Sequence, residues 1–141
     1  MKVKLNGNAT LPKKAHPSDA GYDLVATGRT RIGNILTYET DIAVEIPKGH
    51  VGLLFPRSSV YKYDLELCNS VGVIDENFRG TIKAKFREIP TKDLIAKPKI
   101  YDIGDSVCQL VIVPIYSEEL EVVDSLDKSY RGSDGFGSSG V

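Results

Sequence analysis

The chain has 141 residues, 41% hydrophobic and 26% charged, which fits one folded soluble domain and excludes a disordered chain. Lys plus Arg total 18 against 19 Asp plus Glu, a net charge of -1, so the basic excess expected of a duplex-binding protein is missing. No apolar run approaches the ~20 residues of a membrane helix, and residues 1–11 hold no apolar signal core, which together predict a cytoplasmic protein with neither nucleic-acid nor membrane partners.

The predicted elements are strands. Val3 and Leu5 alternate with Lys2 and Lys4; Ile42, Val44 and Ile46 alternate with Ala43 and Glu45. Residues 51–55 form a more continuous apolar run, which predicts a strand buried on both faces. A single helical turn is expected over residues 58–63, with a serine at its start as the cap. Ile82, Ala84 and Phe86 then alternate with Lys83, Lys85 and Arg87, a half-buried strand pattern. Residues 107–113 repeat the continuous type. Leu120 and Val122 alternate with Glu119 and Glu121 and predict one more half-buried strand. Turn signals at Pro47-Lys48-Gly49, Pro90, Pro98 and Gly104-Asp105 separate these runs. No 12-residue window sustains a 3.6-residue period, so the pattern is that of an all-β sandwich or barrel.

Cys68 and Cys108 lie forty positions apart in apolar runs, and His16 and His50 are isolated. A zinc cage needs about four such ligands at close spacing, so buried reduced thiols are the better reading. The last eleven residues, RGSDGFGSSGV, hold four glycines and three serines and read as a flexible arm by composition. They contain a literal G-x-G-x-x-G, but that fingerprint must follow a strand and open a helix. A mobile glycine-rich arm can instead wrap a phosphate with its backbone N–H groups. Arg131 at its base and Phe136 at its centre would add a charge and a stacking face.

Four loops carry further polar groups. Ala20-Gly21-Tyr22-Asp23-Leu24 sets a carboxylate beside a glycine. Pro56-Arg57-Ser58-Ser59-Val60 sets a cation and two hydroxyls where a strand meets the helical turn, a junction suited to an anion. The stretch GVIDENFRG, residues 72–80, reads as a hairpin with Asp75 at its tip and Phe78 three positions on. GDSVCQL, residues 104–110, opens a buried strand containing one amide, Gln109, which must find hydrogen-bond partners. Taken singly, each is most simply a turn or a satisfied polar residue. Their joint occurrence, in this order with the arm, in one small all-β chain is the signal.

The five stretches AGYDLVA, PRSSV, GVIDENFRG, GDSVCQL and RGSDGFGSSG resemble the five ordered motifs of the trimeric dUTPases, and they span nearly the whole chain. The resemblance implies a jelly-roll domain over residues 1–130, with at most one short helix, and a mobile arm over residues 131–141. It implies a homotrimer with active sites at subunit boundaries, hydrolysing dUTP to dUMP and pyrophosphate with Mg2+. By resemblance, Asp75 orients and deprotonates the attacking water and meets the 3′-hydroxyl, while Asp23 holds magnesium-bound waters. Arg57, Ser58 and Ser59 form the phosphate turn, and Gln109 reaches the phosphates. The backbone of Gly72, Val73 and Ile74 reads uracil, flanked by Asn69 and Lys83. Phe78 lies under the sugar. Arg131 meets the γ-phosphate, Phe136 closes over uracil, and Gly137 and Ser138 belong to the closing arm.

The chain departs from the family pattern at four places. Phe78 replaces a usual Tyr, keeping the ring and losing the phenol. Asp134 stands for a usual Gly, Ser139 for Thr and Asn77 for Asp. A dCTP-deaminating relative of the same fold would be expected to carry a Glu base and to lack this arm. A non-catalytic relative would not be expected to retain Asp23, Asp75, Gln109 and Arg131 together.

Overall fold

The structure, a computed structural model, describes residues 1–90 and 97–133. Ten strands follow in chain order: β1 (Lys2–Leu5), β2 (Gly21–Val25), β3 (Gly28–Ile32), β4 (Ile35–Glu39), β5 (Ile42–Glu45), β6 (His50–Pro56), β7 (Leu65–Leu67), β8 (Gly72–Ile74), β9 (Lys83–Glu88) and β10 (Ser106–Pro114). One short 3₁₀ turn, Ser58–Lys62, interrupts them. All pairings are antiparallel. One sheet runs β2-β10-β6-β8, a second runs β3-β4-β9-β7, and β1 pairs with β5. This is the all-β jelly-roll architecture the sequence predicts. Among the described residues no helix is long and apolar enough to cross a membrane.

The alternating patterns become the core where a strand has one covered face. On β9, Ala84 and Phe86 are buried while Lys83, Lys85 and Arg87 are exposed. Phe86 meets Tyr38 of β4 edge-on, ring centroids 5.8 Å apart, an arrangement that aromatic quadrupoles favour. Leu24, Leu54 and Leu110 bring the first sheet onto the same core. Gly33-Asn34 joins β3 to β4 in a two-residue loop, with Ile32 facing Ile35. Gly33 takes φ +60 there, a conformation in which glycine is unstrained and which tight hairpins require.

Four sequence expectations are corrected. Ser58 does not cap the turn: Arg57 is the N-cap and makes no side-chain cap hydrogen bond. Residues 72–80 are no hairpin between paired strands, because β8 pairs with β6 and β9 pairs with β4 and β7. The loop between them passes from one sheet to the other. Strands β6 and β10 are not buried on both faces: Gly52, Leu54, Val107, Cys108 and Leu110 are buried, whereas Val51, Leu53, Phe55, Val111 and Val113 are only half-buried. Residues 115–130 form no strand, and Leu120 and Val122 are 99% and 98% exposed. Their alternation has no partner within this chain, and alternation alone cannot name one.

Candidate active site

One end of the first sheet gathers three of the expected groups. Opposed residues in an antiparallel pair share a face. Gln109 on β10 faces Asp23 on β2 and Phe55 on β6, so its amide and the Asp23 carboxylate emerge side by side. A β-bulge between Ser106 and Cys108 sets that register. Arg57, just past the end of β6, reaches back across the sheet. Its Nε donates to Asp23 Oδ1 at 3.0 Å and its Nη2 lies 2.9 Å from Oδ2, a two-pronged pairing that fixes direction as well as charge. The Gln109 amide donates to the Pro56 carbonyl at 3.1 Å. This satisfies the polar group that the sequence leaves without a partner.

The cleft so formed has a volume of about 290 Å³ and is lined by Asp19, Gly21, Asp23, Arg57, Ser58 and Gln109 among others. Gly21 leaves room for the Gln109 side chain. A Cβ there would stand 2.5 Å from Gln109 Oε1 and 3.0 Å from its Cβ. The turn at residues 58–62 is too short for a helix-end field; the anion-attracting groups here are the Arg57 side chain and the Ser58 hydroxyl. Sequence reasoning missed the N-terminal segment. Lys13 bridges to Asp23, whose N–H donates to the Lys13 carbonyl at 2.9 Å. Lys14 sets its ammonium 4.9 Å from the Tyr22 ring centroid. A single β-bridge leaves no periodicity, so no sequence signal marks it.

A second group gathers on β8. That strand is one of the two edges of its sheet, so part of the Gly72–Ile74 backbone points away from β6 and can pair with something else. Asn69 covers Gly72, with Nδ2 3.4 Å from where a Cβ would stand. After Ile74 the loop is braced by its own groups. The Phe78 N–H donates to the Asp75 carbonyl at 3.1 Å, and Arg79 Nη1 donates to the Glu76 and Phe78 carbonyls at 2.7 and 2.9 Å. The Gly49 N–H donates to Glu76 Oε2 at 2.8 Å. The Phe78 ring lies over Gly80, where a Cβ would come within 2.6 Å of it. Asp75 is exposed at the tip. Lys83 lies on β9 of the other sheet, 3.1 Å from Glu39.

The two groups do not meet within one chain. Ile74 faces Gly52 and Gly72 faces Leu54, which brings Asp75 level with Val51 at the start of β6. Arg57 lies past its other end. Six residues of strand separate the two levels by about 20 Å. The sheet face between them is apolar: Val51, Leu53, Val111 and Val113 are half-buried and Val73 is 61% exposed. Arg131 lies among exposed residues near the end of the described chain. Phe136, Gly137 and Ser138, with Asp134 and Ser139, lie outside the described residues.

Beneath the cleft two groups are held neutral. Burial, reinforced by the nearby Asp23 charge, pushes the Cys108 thiol up to about 12. Burial likewise pushes the Tyr101 phenol up to about 12. Among the described residues no three His, Cys, Asp or Glu gather to hold a metal by themselves.

Comparison with known proteins adds names to this geometry. The dUTPase family model matches residues 7–140. The chain is 37% identical over 150 residues to the deoxyuridine 5′-triphosphate nucleotidohydrolase of Escherichia phage T5, covering 99% of this chain and 98% of that protein. It is 38% identical over 141 residues to the enzyme of the same name from Corynebacterium glutamicum, covering 98% and 92%. Among solved structures it resembles a variant of the Staphylococcus bacteriophage 80alpha dUTPase with dUpNHpp, at TM-score 0.81 and 30% identity, over 99% of this chain and 98% of that one. It also resembles a phage phi11 dUTPase variant described for its coordination of a structural Mg(II) ion, at TM-score 0.73 and 30% identity, over 88% and 96%.

Proposed function

This chain belongs to the dUTPase family and hydrolyses dUTP, and we propose that it does so by in-line attack of water on the α-phosphate. Asp75 orients the water and takes its proton as the new P–O bond forms. The bond from the α-phosphorus to the bridging oxygen breaks, and pyrophosphate leaves with that oxygen, giving dUMP. Removal of dUTP limits uracil incorporation into DNA, and dUMP supplies dTMP synthesis.

The observation that carries this reading is the Asp23–Arg57–Gln109 cleft, in which Gly21 leaves room for the Gln109 side chain. A guanidinium, an amide and a hydroxyl line one space there, as triphosphate oxygens require. Arg57, Ser58, Ser59 and Gln109 bind phosphate oxygens. The free edge of Gly72–Ile74 reads the uracil edge with backbone donors and acceptors, and Asn69 and Lys83 flank it. The flat Phe78 ring underlies the deoxyribose and leaves no room for a 2′-hydroxyl. Arg131 contacts the γ-phosphate, and the arm bearing Phe136, Gly137 and Ser138 closes over the bound nucleotide.

Magnesium fits this donor set. Mg2+ commonly takes one or two carboxylates plus substrate phosphates and keeps its waters. Asp19 and Asp23 are the carboxylates lining the cleft, and both oxygens of Asp23 already face Arg57, which favours contact through water. When bound, the ion neutralises charge on the triphosphate.

The ~20 Å between Asp75 and Arg57 along β6 supports a homotrimer in which different subunits supply the two groups. The half-exposed apolar face between them, and the fully exposed Leu120 and Val122, are surfaces that a second copy would cover. The test is pyrophosphate release from dUTP, dTTP, dCTP and UTP by the full chain and by Asp75→Asn. Strong preference for dUTP is expected. The variant should lose about 10²–10⁴-fold in kcat, the usual worth of a general base, while binding a non-hydrolysable dUTP analogue as tightly. Comparable turnover of dTTP, ammonia release from dCTP, or an Asp75→Asn rate above half of normal would overturn the reading.

A further inference from the structure

Tyr101 sits where the core meets the phosphate turn, and its hydroxyl has no partner. The residue is 1% exposed. Its ring is gripped by Tyr38, Phe86 and Tyr63 at centroid distances of 6.0, 5.9 and 3.9 Å. Its carbonyl accepts from Arg29 Nη1 at 2.7 Å and from the Tyr38 hydroxyl at 3.1 Å. The phenol oxygen is the exception. Among the described residues it is the one buried side-chain polar atom with no hydrogen bond. Thr40, also buried, donates its hydroxyl to the Ile82 carbonyl at 2.7 Å. Buried polar groups are overwhelmingly paired, so an orphan asks for a reason. Packing does not supply one, because Phe would fill the same space without an oxygen.

The surroundings of that oxygen supply the reason. The Ser59 hydroxyl is close enough to favour its ionisation, yet the pair does not meet hydrogen-bond geometry, and the Arg57 charge acts in the same direction. Both belong to the turn that flanks the cleft. Tyr63, which ends the turn, lies against the Tyr101 ring. The turn is shallow, with no fully buried residue. Its ends are tied by the Val60 N–H donating to the Arg57 carbonyl and the Tyr63 N–H donating to the Val60 carbonyl, each 2.9 Å, and Val60 and Tyr63 pack against the core. Tyr101 beneath it is enclosed on all sides.

We propose that Tyr101 is a positioning residue for the phosphate turn, its buried hydroxyl gaining a hydrogen bond with Ser59 when Arg57, Ser58 and Ser59 settle on the phosphate oxygens. The inference rests on the reading of that turn as a phosphate site. Its energetic logic is that the orphan hydroxyl destabilises the turn's resting position and is satisfied in the loaded one. Differential interaction of this kind shifts a two-position element toward the bound arrangement. The phenol stays protonated through the physiological range, so it can donate or accept as Ser59 requires.

The test uses the full-length chain and Tyr101→Phe, Ser59→Ala and the double variant. Titration calorimetry gives the Kd of a non-hydrolysable dUTP analogue with magnesium, and melting without nucleotide gives Tm. For Tyr101→Phe the expected result is an unchanged or raised Tm together with a Kd raised about fivefold, within the ~2–12-fold span of one net hydrogen bond. The double variant should be no weaker than the worse single one, because both remove the same bond. A lowered Tm, a Kd within experimental error of the parent, or additive effects in the double variant would overturn the inference. Arg57→Gln separates the two levels of argument. If it binds the analogue as tightly as the parent, the phosphate reading of the turn fails; if it weakens binding while Tyr101→Phe does not, only the role of Tyr101 fails.

Discussion

Gly21 and Gln109 show how a single atom governs the cleft. Gly21 lies on β2 diagonally from Gln109, and the amide oxygen occupies the place where a Cβ would be. Gly21→Ala must therefore move the Gln109 side chain, since both the strand pairing and the buried Leu24 nearby resist backbone displacement. An overpacked contact of this type costs about 1–3 kcal/mol, and a catalytic group displaced by ~1 Å can lose ~10²-fold in rate. We expect Gly21→Ala to remain folded with a lowered Tm and to lose about ten- to a hundredfold in kcat/KM for dUTP. Gly28→Ala is the control, since a Cβ there meets Glu39 Cγ at an ordinary 3.5 Å. If both variants turned over dUTP like the parent, Gln109 would have no part in phosphate binding.

Strand β10 links two faces with different tasks. Val107, Cys108 and Leu110 point into the core at 0% exposure, whereas Gln109 faces the cleft and Val111 continues the half-buried apolar row opposite Leu53. A charge at position 111 leaves the inner face untouched. If the proposed trimer is built on this face, Val111→Lys should keep the β spectrum but dissociate the assembly, and turnover should fall with it. Sedimentation velocity and dUTP turnover on the same samples check this. A Val111→Lys protein that stays trimeric would remove this face from the subunit contact, and one that is monomeric but fully active would remove the shared site.

At the scale of the molecule, the buried core and the cleft share their titratable groups. Burial raises Tyr38, and raises Tyr101 to about 12, from an ordinary 10.0; it raises Cys108 to about 12 from 9.0. Each therefore keeps its proton to higher pH in the folded chain than in the unfolded one. Between the two values the unfolded chain binds fewer protons, so stability falls as pH rises. From neutral pH to about pH 9 these groups leave denaturant midpoints level, and from there to about pH 12 the midpoints should decline steadily. Absorbance at 295 nm should show Tyr38 and Tyr101, of seven tyrosines, ionising only as the chain unfolds. Flat midpoints up to pH 12 would mean these groups are open to water.

Where one face of a strand is covered by the core shared with the other sheet, the residues alone determined the outcome. The Lys83 to Arg87 alternation became β9, because burial and pleat have the same two-residue period, and the apolar run at 107–113 became β10. The motif residues were legible only as an ordered set resembling the family pattern, not from period. Tertiary structure decided whatever depends on distant segments. Asp23 and Arg57 are paired across 34 positions, and the loop after β8 changes sheets because β6 and β4, not β8 and β9, complete the ladders. The outer faces of β6 and β10 were read as buried, and Leu120 and Val122 as the inner side of a half-buried strand, yet this chain leaves them partly or wholly uncovered. Local period records that a face must be covered; which partner covers it is set by long-range closure, whose cost and reward no short stretch of sequence contains.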